Sequence, residues 1–113
     1  MKFPIMYGRP YGRLLLAQWH RQILGMVAMR RINDDVCEMK RLFVRSIFRG
    51  EGVGRKLLLC LIQEARAAGY AWLRLDTLPN MRSAIKMYRA FGFVPIAPYR
   101  HETGLVYLGL RLR

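Results

Sequence analysis

The residues best suited to chemistry lie in a short glycine-rich segment, Arg49–Arg55, near the middle of the chain. Its three glycines let the backbone approach a ligand closely and turn N–H groups towards it. A helical pattern follows, and the free N–H groups and dipole at a helix N-terminus favour an anion. An arginine at each end of the segment adds fixed positive charge. The sequence therefore predicts a pyrophosphate-binding loop.

Three phosphate-binding patterns compete for this loop. A Walker loop requires Gly-Lys-Ser/Thr, which Gly54-Arg55-Lys56 does not supply. A dinucleotide fingerprint requires glycine where Arg55 stands, although Asp76 imitates the ribose-binding acid of that motif. The third pattern, Arg/Gln-x-x-Gly-x-Gly, is matched in full by Arg49, Gly52 and Gly54. The third is favoured, and the dinucleotide pattern is weakened but stays open.

The spacing of apolar residues predicts the elements that position the loop. The predicted strands cover residues 13–18, 23–29, 36–44, 72–76, 93–96 and 105–112, and the predicted helices cover 53–68 and 81–91. The order β-β-β-α-β-α-β-β predicts an α/β (α+β) fold with a mixed, mostly antiparallel sheet and two helices. In strand 36–44, simple alternation places Arg41 and Phe43 on the face of Cys37, and Leu42 and Val44 on the face of Glu38.

The length of 113 residues predicts one domain. Residues 1–12 contain two glycine turns and a proline, so we expect an irregular N-terminal segment, with residues 13–113 forming the domain. The chain has no apolar run long enough to cross a membrane and no signal-peptide pattern. Cys37 and Cys60 suit neither a zinc site nor a disulfide framework and are expected to be buried thiols. We expect a cytoplasmic protein with no membrane partner.

Residues 23–93 as a whole resemble the GNAT superfamily of N-acetyltransferases. The resemblance rests on the strand Glu38–Val44 that leads into the loop, on the loop itself, and on Tyr88 followed by Gly92-Phe93. It implies a GNAT-like acyl-CoA acyltransferase core that uses acetyl-CoA as co-substrate and needs no metal. The implied reaction is direct transfer of the acetyl group to a primary amine of a small molecule or a protein.

The same resemblance implies a V-shaped opening between strands 36–44 and 72–76, in which the pantetheine of acetyl-CoA pairs with the backbone. The implied cofactor-binding residues are Leu42, Phe43, Val44, Arg49, Gly50, Glu51, Gly52, Val53, Gly54, Arg55 and Ala84. The side chain of Glu51 is expected to point away from the pyrophosphate. The chain departs from the family at Met81, where asparagine is common, and the neighbouring Asn80 is expected to cap the second helix rather than contact the cofactor.

Two residues match catalytic positions of the family. Tyr88 matches the tyrosine that protonates the departing CoA thiolate, although its helical spacing alone suits a core tyrosine. Glu38 matches the strand glutamate that serves as general base in some members, where others use water, and it also suits a solvated strand position. Asp76 is expected to cap a strand end or loop.

The chain carries 20 Lys and Arg residues against seven Asp and Glu, a formal charge of +13, which favours a polyanionic partner. The alternative function is therefore a small basic nucleic-acid-binding domain without catalytic activity. No known nucleic-acid motif is present and the arginines are spread along the chain, so we expect nucleic acid not to be the partner.

A family domain usually opens with a strand and two helices, which residues 1–12 are too short to supply. The chain is expected to be a family core without them, or a natural minimal version. The uncovered sheet edge and apolar face then predict self-association, most simply as a homodimer.

Overall fold

The computed structural model describes residues 2–7, by their backbone, and residues 12–113. The strands are β1 (Lys2–Tyr7), β2 (Gly12–Trp19), β3 (Gln22–Arg31), β4 (Val36–Val44), β5 (Trp72–Thr77), β6 (Val94–Pro95) and β7 (Val106–Arg111). The helices are α1 (Val53–Ala67) and α2 (Arg82–Ala90), and a 3₁₀ turn covers Ser46–Phe48.

The strands form one sheet in the order β1-β2-β3-β4-β5-β7-β6. Among the described strands only β4 and β5 pair in parallel, and α1 connects them. Every other neighbouring pair is antiparallel. The predicted α+β class with a mixed, mostly antiparallel sheet and two helices is confirmed.

The prediction of an irregular segment over residues 1–12 is wrong for β1. Lys2–Tyr7 pairs antiparallel with β2, with Ile5 opposite Leu16 and Tyr7 opposite Leu14. This strand lies at the sheet edge, where a proline such as Pro4 is tolerated because one side of the strand needs no hydrogen bonds from the sheet. The glycines and prolines of residues 1–12 do not prevent Lys2–Tyr7 from pairing with β2, and residues 8–11 lie outside the described part.

One face of the sheet packs against the helices. The buried stripe of α1 consists of Val53, Leu57, Leu58, Leu61, Ile62 and Ala65. It shares the core with Leu73 and Leu75 of β5 and with Tyr88 of α2. Gly69 follows α1 with φ of +89°, the left-handed conformation in which helices commonly end. Because side chains alternate along a strand, Trp72, Arg74 and Asp76 lie on the opposite face, which we call the second face.

A bulge in β4 changes which residues reach the core. Met26 pairs with Phe43 and Ala28 with Lys40, so the register shifts between these pairs, and Arg41 adopts φ of +55°. Cys37 and Met39 lie in the core before the bulge, and Leu42 and Val44 pack against it afterwards. Phe43 is half exposed. The face assignment from simple alternation is therefore wrong beyond Lys40, because the extra residue reverses the alternation.

Candidate functional site

Strands β4 and β5 pair only at their beginnings. The paired residues are Val36 with Trp72, Cys37 with Leu73, and Glu38 with Arg74. Beyond Glu38 the two strands separate, while β4 continues to Val44. The predicted opening between these strands is present, and among the described strands none lies on the β5 side of β4 beyond Glu38.

A cleft of about 730 Å³ lies where β4, the glycine loop and α2 meet. It is lined by Leu42, Phe43, Val44, Phe48, Arg49, Gly50, Gly52, Val53, Gly54, Arg55, Met81, Ser83, Ala84 and Met87. The structure thus brings together every predicted cofactor-binding residue except Glu51, which is exposed outside the lining, as expected.

Four residues of the lining were not predicted: Phe48, Met81, Ser83 and Met87. Ala84 and Met87 are three residues apart on α2, a spacing that brings side chains to one face of a helix. This spacing could have identified Met87 from the sequence. Phe48 lies in the 3₁₀ turn after β4, whose path the sequence pattern did not reveal.

The glycine loop has the conformation that an anion-binding loop needs. Gly50 and Gly52 adopt φ of +83° and +82°, a region that other residues rarely occupy. A β-carbon at either position would meet no atom within 4 Å, so the backbone conformation rather than space requires glycine. Gly52 caps α1, and the N–H of Lys56 donates to its carbonyl at 3.1 Å. The first N–H groups of α1 have no acceptor within the helix and suit a pyrophosphate.

The two flanking arginines are held in place by neighbouring groups. The Nε of Arg49 donates to the carbonyl oxygen of Val44 at 3.1 Å, which ties the loop to the end of β4. The guanidinium of Arg55 lies 5.2 Å from the ring centroid of Phe91. Both side chains are exposed and both line the cleft. Their positions suit a contact with phosphate oxygens.

Tyr88 lies in the core, on the helix α2 that contributes residues to the cleft. Its exposed fraction is 4% and its ring packs 5.7 Å from that of Phe93. Burial raises the pKa of Tyr88 to about 12, so its hydroxyl keeps its proton at neutral pH. Tyr88 does not line the cleft, whereas Ala84 and Met87 on the same helix do. Its position is compatible with both the core role and the proton-donor role.

Glu38 is fully buried and held by three cations, so the solvated strand position is excluded. Its carboxylate accepts from Arg30 Nε at 3.0 Å and Arg74 Nε at 3.3 Å, and Lys40 Nζ lies 3.2 Å away. Burial alone would raise the pKa of Glu38. The hydrogen bonds and charges of Lys40 and Arg30 outweigh burial and lower it. The carboxylate is therefore ionised at neutral pH.

Asp76 belongs to a second polar group on the same face. The hydroxyl of Tyr99 donates to it at 2.9 Å, and the Nε of Arg100 lies 3.5 Å from it. The guanidinium of Arg74 lies 3.8 Å from the ring centroid of Tyr99, which joins this group to Glu38. Sequence reasoning missed Arg30, Arg74 and Tyr99, because they meet only through the pairing of distant strands.

The remaining candidates have simple structural roles. Met81, not Asn80, caps α2, and no side chain bonds to that cap, so the capping role expected of Asn80 is wrong. The Cys37 thiol is buried near the carbonyl of Trp72, and burial raises its pKa to about 12. Cys60 is half-buried rather than buried.

The described residues contain neither a grouped metal site nor a membrane-spanning helix. Among these residues no three His, Cys, Asp or Glu side chains are grouped as a metal site requires. Neither described helix is long and apolar enough to cross a membrane.

Comparison with known proteins agrees with this geometry. The sequence profile of the acetyltransferase (GNAT) family matches residues 2–93. An uncharacterized N-acetyltransferase of Schizosaccharomyces pombe is 38% identical over 94% of this chain and 68% of its own length. Another uncharacterized N-acetyltransferase, from Dictyostelium discoideum, is 41% identical over 69% of this chain, which spans only 38% of that protein.

The fold is shared with solved structures. A GNAT family acetyltransferase from Elizabethkingia anophelis, solved with acetyl-CoA bound, superposes with a TM-score of 0.80 at 23% identity, covering 90% of this chain and 77% of that one. The sequence profile and the identity to the yeast relative go beyond a shared fold. This chain belongs to the GNAT family of acetyltransferases, which are acyltransferase enzymes.

Proposed function

We propose that the protein is an acetyl-CoA-dependent N-acetyltransferase that moves an acetyl group directly to a primary amine. One observation carries the proposal: β4 separates from β5 immediately beside the glycine loop, within one cleft. The separation leaves backbone groups of β4 for the amides of pantetheine, and the loop offers N–H groups to a pyrophosphate. Acetyl-CoA has both chemical features.

Acetyl-CoA supplies an acetyl group activated as a thioester. In our proposal, the backbone of Leu42, Phe43 and Val44 pairs with pantetheine, and Gly50, Gly52 and the start of α1 hold the pyrophosphate, with Arg49 and Arg55 beside it. Backbone N–H groups of β4 polarise the carbonyl to be attacked. Family membership and the lining of the cleft support these assignments.

In our proposal, the two buried residues Glu38 and Tyr88 carry out the proton transfers. The bond from the acceptor nitrogen to the acetyl carbon forms as the carbon–sulfur bond breaks. The ionised Glu38, directly or through a water, accepts the proton that the amine loses. Tyr88, which is protonated at neutral pH, gives its proton to the departing sulfur and later recovers one from solvent.

The binding half of the proposal is tested by calorimetry with acetyl-CoA. Gly52→Asp should abolish binding, because it places an anion and an unfavourable backbone conformation in the loop. Gly104→Asp is the matched control, since Gly104 also has positive φ and open space around its Cα. Arg49→Ala should weaken binding about tenfold or more, the typical loss of a charge-assisted contact, while Arg66→Ala at the far end of α1 should not. Unchanged affinity in both loop variants would contradict the proposal.

A further inference from the structure

The carboxylate of Glu38 has more positive charge around it than it can neutralise. Arg30, Lys40 and Arg74 all contact it, which leaves a surplus of two positive charges at this point. The neighbouring Asp76 pairs with Arg100, which also lies 3.5 Å from Glu102. Over this network of described residues, four cations face three carboxylates. The network is therefore positive, and its excess lies at the Glu38 end, where β4 and β5 separate.

A small pocket of about 250 Å³ opens beside this charge on the second face. Its walls include Val36, Trp72, Arg74, Ile96 and Tyr99, so it is mainly apolar and aromatic. The pocket is large enough to take the apolar side chain of a small molecule.

The pocket depends on a glycine in β7. A β-carbon on Gly109 would lie 2.9 Å from Cγ2 of Ile96 and 3.7 Å from Cε3 of Trp72. Glycine therefore lets the Ile96 side chain pack down against the sheet. The close approach of the Ile96 side chain to Gly109 forms the floor of the pocket.

Arg74 belongs both to the pocket wall and to the group of cations around Glu38. Its Nε donates to Glu38 and its guanidinium stacks on the ring of Tyr99, so one flat cation forms part of the pocket wall. Its two terminal nitrogens donate no hydrogen bond to any described residue, although the side chain is about one quarter exposed. A guanidinium fixed through Nε presents its remaining N–H groups in a geometry that matches a carboxylate.

We propose that the acceptor is a small amine that also carries a carboxylate and an apolar body, such as an apolar or aromatic amino acid. This inference rests on the proposed transferase function and names its substrate class. The carboxylate binds the terminal nitrogens of Arg74 in the positive field shared with Arg30 and Lys40, and the apolar body enters the pocket beside Trp72. A polyamine would instead bring more positive charge into a region that already has an excess.

The test compares matched acceptors with acetyl-CoA and the full chain. Alanine, leucine, phenylalanine and tryptophan are each assayed against their own carboxamides, with spermidine as a polycation, and rates are expressed per concentration of unprotonated amine. We expect kcat/KM for at least one acid to exceed that of its amide by about tenfold or more, since the amide cannot form the charge-assisted pair. If no acid is preferred over its amide, or if spermidine is the best acceptor, the inference is overturned.

Variants give an independent readout. Arg74→Gln should raise KM for the preferred acid about tenfold more than it raises KM for the amide, and the exposed Arg30→Gln should act in the same direction. Arg66→Gln removes the same charge elsewhere and should change neither. If Arg74→Gln does not fold, Arg30→Gln decides, and an equal KM change for acid and amide would refute the assignment. If the wild type does not bind acetyl-CoA, the proposed function itself is contradicted. Failure of the acceptor inference and failure of the proposed function are therefore distinguishable.

Discussion

Burial acts to raise the pKa of both residues that we propose to move protons, but only Glu38 has cations beside it that outweigh burial. Glu38 is fully buried yet ionised, because Lys40, Arg30 and Arg74 surround it. Tyr88 is buried among apolar side chains, and burial keeps its hydroxyl protonated. In our proposal, Glu38 is thus the proton acceptor and Tyr88 the proton donor, each in the protonation state that its role requires at neutral pH.

Replacing Tyr88 with phenylalanine tests the donor. Tyr88→Phe keeps the ring that packs on Phe93 and removes only the hydroxyl. We expect kcat to fall by about 10²–10⁴-fold, the usual contribution of general acid catalysis, while acetyl-CoA affinity by calorimetry stays near that of the wild type. Tyr70→Phe, at a half-buried tyrosine after α1, is the matched control. Normal turnover of Tyr88→Phe would show that Tyr88 is only a core residue.

The ion pairs of Glu38 predict a pH-dependent stability. The pKa of Glu38 is lower in the folded chain than its ordinary value of 4.5, so its contribution is complete above that pH and is lost as pH falls below it. At pH 7, Glu38→Gln should reduce the free energy of unfolding by about 3 kcal/mol, because three cations lose their buried partner.

Urea denaturation at pH 7 and at several values below 4.5 checks this prediction. The difference between wild type and Glu38→Gln should shrink towards acid pH. Glu51→Gln, at an exposed position, should differ little from wild type throughout. A difference between wild type and Glu38→Gln that is independent of pH would contradict the ion-pair account.

At the scale of elements, the sequence predicted those features that depend only on residues close together in the chain. The glycine loop, helix α1 and strands β2 and β3 were predicted because glycine conformation and apolar spacing act over a few residues. The β4 bulge and strand β1 were not, since both depend on pairing with a neighbouring strand. The cluster of Arg30, Glu38 and Arg74 unites three strands, so its arrangement depends on sheet register, which residue spacing does not reveal.

The positive φ of Arg41 in the β4 bulge leads to a separate prediction. At φ of +55° an ordinary side chain is disfavoured, and a β-branched one more so. Arg41→Gly should be nearly neutral, because relief of the backbone offsets the added freedom of the unfolded chain. Arg41→Val should destabilise the fold by about 1–3 kcal/mol. Thermal unfolding of both variants is the measurement, and equal stabilities would show that the bulge imposes no constraint on residue type.

At the scale of the whole molecule, the homodimer stays a prediction. Strand β1 forms a sheet edge, and on β2 and β3 the half-buried Leu14, Leu16, Met26 and Ala28 alternate with core residues. These apolar side chains form a face that a second copy would cover. Light scattering at micromolar concentration should give a mass of two chains, and Met26→Lys should shift it towards one. A wild type that stays monomeric as its concentration rises would contradict this prediction.

The separation of β4 and β5 has a consequence for hydrogen exchange. Within the sheet, β1–β4 and the β5–β7–β6 part are joined by only three residue pairs. The N–H groups of β4 that point towards the opening therefore lack the protection that a neighbouring strand gives, and they exchange with deuterium sooner than those facing β3. A ligand that hydrogen-bonds to them occupies the place of a missing strand. On ligand binding these N–H groups should exchange more slowly, whereas those that face β3 should change little.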